Sequence, residues 1–69
     1  METTRNYSVL LQTGANAYQV KHYAANSQQS LYPLYRPEGI AVEIRETSTE
    51  SIAVLQDLAN RMVAQNGLR

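Results

Sequence analysis

The sequence predicts an α+β fold: two β-hairpins forming a small antiparallel sheet of three or four strands, packed on one C-terminal helix (ββββα or βββα). Three observations carry this reading. Apolar residues alternate with polar ones in short runs, which is the period of a half-buried strand. Glycine- and proline-containing turns separate those runs. The last third of the chain instead repeats its apolar residues at helical spacing behind a capping signal.

In NYSVLLQT (6–13), Tyr7, Val9 and Leu11 fall at alternate positions, with Leu10 turned the other way. Gly14-Ala15-Asn16 supplies residues tolerant of positive φ and so a short hairpin connection. AYQVKHYAA (17–25) alternates again, although its alanines and glutamine tolerate helix as well. A polar stretch, Asn26 to Ser30, then reads as a loop. LYPLY (31–35), followed by Arg36-Pro37-Glu38-Gly39, reads as the first arm of a second hairpin, with a type I turn and a left-handed glycine. Pro33 cannot donate to a ladder, which confines that arm to a sheet edge. IAVEIRE (40–46) is the cleanest alternation in the chain. Thr47 with Glu50 three residues on fits a capping box. Behind it Ile52, Leu55, Leu58, Ala59, Met62 and Val63 make one apolar stripe, with Asp57 and Arg61 as an i,i+4 pair. Gly67 is the expected left-handed stop, with Leu68 folding back toward Val63. The whole reads as a single small domain, 1–69: a flexible start (1–5), a sheet region (6–46) and a helix (48–66).

Composition narrows function more by exclusion than by signature. A chain of 69 residues buries only about 60% of the surface its unfolded form exposes. It has no cysteine and one histidine, which removes disulfides, thiolate metal sites and His-rich sites as supports. Self-association is then the expected support, and a homodimer the expected form. Six basic and six acidic side chains balance to zero net charge, against the basic excess usual in nucleic-acid binders. No apolar run approaches a membrane span or follows a basic start as in a signal peptide. A cytoplasmic protein without cofactors is the expectation.

The residues that carry chemistry elsewhere have plainer roles here. His22 with Ser27, Ser30 or a carboxylate lacks any nucleophile motif. Glu43 and Glu46 point to opposite faces of a strand, so they do not form an acid–base pair. Glu50 is a cap and Asp57 a surface ion pair. No enzyme is expected.

Tyrosine is the unusual component: Tyr7, Tyr18, Tyr23, Tyr32 and Tyr35, with no phenylalanine or tryptophan. Such rings suit positions half in water and are enriched at interfaces. With Val9, Val20, Val42 and Ile44 turned to the helix, Leu10, Tyr23 and one side of LYPLY face away. That leaves an apolar surface of Leu31, Tyr32, Leu34, Tyr35, Leu10 and Tyr23 for a partner protein or a second copy. The expected function is a non-catalytic interaction or regulatory module of adaptor or inhibitor type, in keeping with the accessory proteins of phages and mobile elements. The alternative is nucleic-acid binding on a sheet face carrying Lys21, Tyr23 and Arg45.

Overall fold

β1 (Arg5–Gly14) lies between its two partners in a computed structural model that describes residues 3–67. β2 (Ala17–Ala25) and β3 (Ile40–Glu46) flank it, both antiparallel to β1, in the order β2-β1-β3. A helix, α2 (Thr49–Gly67), follows β3, so the βββα reading holds. The first hairpin forms as expected, with Gly14 opposite Ala17. Thr13 bulges from the ladder there, and no described residue takes a positive φ.

The second hairpin does not form. β3 pairs with β1, from Tyr7 opposite Glu46 to Gln12 opposite Ile40. β2 and β3 therefore run parallel, and a parallel connection needs a crossover of about a dozen residues or more. Residues 26–39 are that crossover. LYPLY is helical within it: a 3-10 turn, Gln29–Leu31, runs into a short helix, α1 (Tyr32–Tyr35). Pro33 sits in the first turn of α1, where a missing N–H costs nothing and a preset φ helps. The same proline that confines a strand to an edge here starts a helix.

The crossover changes what covers the sheet. β1 is buried on both faces: Tyr7, Ser8, Val9, Leu10 and Leu11 are all inside. Leu10 packs with Leu55 and Ala59 of α2, joined by Tyr18, Val20, Val42, Leu58 and Met62. Tyr7, Val9 and Leu11 point the other way and pack with Ala25 and Leu31, flanked by Tyr23, Tyr35, Ala41 and Ile44. The expected parity is thus corrected for three residues. Leu10 faces α2, while Val9 and Ile44 face away from it. Register explains this, because Leu10 pairs with Val20 and Val9 with Lys21. An extra residue in β3 between the partners of Leu10 and Leu11 turns Val42 back to the helix side.

α2 runs the length of the β1–β2 hairpin. At its start the Thr47 N–H donates to the Asn6 carbonyl at 2.9 Å. Near its end the Asn66 amide donates to Asn16 Oδ1 and to the Tyr18 hydroxyl, both at 3.1 Å. The cap is Ser48, one residue later than the sequence reading: its Oγ accepts from the Ser51 N–H at 3.0 Å. Asp57 and Arg61 pair at 2.8 Å. Gly67 remains helical rather than left-handed, and the expected Leu68 contact lies outside the described residues. No helix among the described residues is long and apolar enough to cross a membrane.

Candidate interaction surface

The crossover is anchored at both ends and exposed at its middle. At its start, Ser27 accepts from the Ser30 N–H through both its carbonyl (3.2 Å) and its hydroxyl (3.4 Å). The turn this makes drops Leu31 into the core, where it is fully buried. One helical turn on, Tyr35 lies half-buried against the same cluster. Its carbonyl accepts from the N–H groups of Glu38 (2.8 Å) and Gly39 (3.1 Å), which closes the segment.

Glu38 clasps the far end to β2. The Lys21 ammonium donates to one carboxylate oxygen at 2.8 Å, and the Tyr23 hydroxyl donates to the other. The Lys21 bond, then the Tyr23 bond, hold the Glu38 carboxyl below the usual carboxylate range. Partial burial, aided by the Glu38 hydrogen bond and charge, pushes the Tyr23 phenol up to about 12. Gly39 sits where a Cβ would lie 2.5 Å from the Gln12 carbonyl oxygen. Close backbone approach, not a left-handed φ, is what requires glycine there.

Between these anchors, Tyr32 is 54% exposed and Leu34 44%. Tyr32 is nevertheless held. Its ring meets Tyr35 edge-on, with centroids 5.7 Å apart, and the Arg36 guanidinium lies 5.8 Å from its centre. Of the six residues expected at an interface, Tyr32 and Leu34 stand on the surface and Tyr23 and Tyr35 lie half-buried on the same side of the sheet. Leu31 and Leu10 are core residues, buried on opposite faces, and present no surface.

The alternative set is not brought together. Arg45 pairs with Ser8, next along β1 from Val9, the partner of Lys21, so Arg45 and the Lys21–Tyr23 pair occupy opposite faces. Each cation also has its own acid, Glu38 for Lys21 and Glu43 for Arg45 at 2.8 Å. An open polar cleft of about 670 Å³ near the start of α2 is likewise balanced, since its Arg5 pairs with Glu46 at 3.7 Å.

His22 is engaged with Ser8, not with Ser27 or Ser30. Its Nδ1 lies 2.8 Å from Ser8 Oγ, which also bonds Thr47 Oγ1 at 2.9 Å. Ser8 is fully buried, so this hydroxyl joins β1, β2 and the α2 entry and meets no solvent. Among the described residues no three His, Cys, Asp or Glu side chains group as metal ligands. Comparison of the chain with protein-family models, with curated proteins and with solved structures finds no match.

Proposed function

We propose that this chain is a non-catalytic protein-interaction module of adaptor or inhibitor type, acting in the cytoplasm, whose docking surface is the outward side of α1. The observation that carries the reading is the exposure of Tyr32 and Leu34 on a turn whose inward side, Leu31 and Tyr35, is fixed in the core. Recognition residues commonly sit on connecting segments held by a rigid scaffold. Tyrosine and arginine lead among residues that dominate binding energy, and Tyr32 with Arg36 places both at one point. The T-shaped contact with Tyr35 restricts the Tyr32 ring before any partner arrives, which lowers the entropic cost of docking.

A photo-crosslinking residue at position 32 identifies the partner, and titration with that purified partner then measures affinity. Tyr32→Ala with Leu34→Ala is expected to weaken binding at least about tenfold, or 1.4 kcal/mol, with the fold intact by circular dichroism. Unchanged affinity in the double variant refutes the surface. If the captured species is a nucleic acid whose binding falls steeply with salt, the alternative reading replaces this one.

A further inference from the structure

We propose that β3 is a self-association edge: two copies pair antiparallel through β3 about a twofold axis at Ile44, giving one six-stranded sheet. This proposal does not rest on the docking role of α1.

The first argument is hydrogen bonding. Thr47 donates to Asn6, and pairs in an antiparallel ladder alternate between bonded and non-bonded. Ser8 with Arg45 is then a bonded pair, while Val9 with Ile44 and Tyr7 with Glu46 are not. Ile44 and Glu46 therefore turn their N–H and C=O groups outward, to the side of β3 where the sheet ends. A twofold axis at Ile44 sets the outward N–H and C=O of one copy against those of the other.

The second argument is charge. Glu43 and Arg45 flank Ile44 and already pair along the strand at 2.8 Å. A twofold at Ile44 sets Glu43 opposite the partner's Arg45, and Arg45 opposite the partner's Glu43. Opposite charges directly across antiparallel strands attract, and like charges there repel. Moving the axis one residue either way sets Glu43 against its own copy or Arg45 against its own copy. Glu46 would meet itself if the axis moved two residues on. β2, the other edge, has no acidic residue and no such self-complementary register.

The third argument is area. A folded monomer of 7.7 kDa is expected to expose about 4,300 Å². This chain exposes 4917 Å². The excess is roughly 600 Å² per copy, so the thin, extended chain leaves more surface uncovered than a compact monomer of its size.

Light scattering on the full chain near 100 µM tests the proposal, with about 0.1 M salt to limit non-specific charge effects. The expected mass is twice that of the chain. Arg45→Glu faces carboxylates across the twofold and is expected to raise the dissociation constant at least tenfold. Glu43→Arg combined with Arg45→Glu restores both the opposite pairs and the dimer. Because the chain lacks cysteine, Ile44→Cys is a clean second probe, expected to oxidise to a covalent dimer while Gln19→Cys does not. A monomeric wild type overturns the proposal. So does a dimer whose dissociation constant is unmoved by Arg45→Glu and whose Ile44→Cys form stays uncrosslinked. Tyr32→Ala with Leu34→Ala leaves the dimer unchanged, which separates this result from the fate of the α1 surface.

Discussion

Glu38 carries more of this structure than its place in a turn implies. Its carboxylate holds Lys21 and Tyr23, so its two partners are part of β2 while it belongs to the crossover. The pH dependence follows from the two shifts. A carboxyl whose folded-state pKa is lowered stabilises above its unfolded pKa, and that contribution fades as pH falls through the folded value. Denaturant midpoints measured from about pH 6 down to about pH 3 should therefore fall more in the wild type than in Glu38→Gln. Tyr23 behaves oppositely, because its pKa is raised: its contribution is complete below about pH 10 and is lost toward about 12. Tyr23→Phe should flatten that alkaline decline. Gly39→Ala forces a methyl against the Gln12 carbonyl and should cost about 1–3 kcal/mol by the same measurement. None of these roles was legible in the sequence. Glu38 lies 17 and 15 positions from its partners, and Gly39 reads equally as a turn glycine.

Among the elements, α2 was the most legible, because nineteen residues offer five turns over which the apolar stripe repeats. Its cap was read one residue early, since Thr47 and Ser48 are both good caps and Thr47 is taken by the buried Ser8 hydroxyl. Ser48→Ala should therefore lower stability by about 1 kcal/mol through the helix end. LYPLY was misread for a geometrical reason. Leu31 and Tyr35 share a side at a spacing of four, which suits both a strand of period two and a helix of period 3.6. Pro33 did not decide between them, being tolerated at a strand edge and in a first helical turn. Leu31→Ala, which empties the anchor under α1, should cost about 2–5 kcal/mol in thermal or chemical unfolding. Val9-Leu10-Leu11 carries a further signal. An uninterrupted apolar run marks a strand covered on both faces, so Leu10 was evidence for a second layer and not a break in alternation.

At the scale of the molecule, the chain is thin and extended, 49 × 26 × 12 Å, with a radius of gyration of 12.7 Å against about 11 Å expected for its length. A long α2 shields one face of the sheet and a short crossover the other. Pairing through β3 about an axis normal to the sheet would place both copies of α2 on one face and both copies of α1 on the other. Two Tyr32–Leu34 surfaces would then point the same way. On a densely immobilised partner, the wild type should dissociate more slowly than Arg45→Glu, and the two should converge at low density.

The central position of β1 has a further consequence, for the order in which the chain becomes safe. β1 and β2 are adjacent in sequence and can zip together locally, within microseconds. The other side of β1 must wait until the crossover has been laid over the sheet and β3 has arrived. During that interval the strand that ends up most deeply buried presents a bare backbone row to its surroundings. A chain cut before Ile40 should therefore aggregate through β1, visible as rising light scatter and thioflavin fluorescence. Adding a synthetic peptide of residues 40–46 in excess should suppress it, because that peptide restores the missing neighbour.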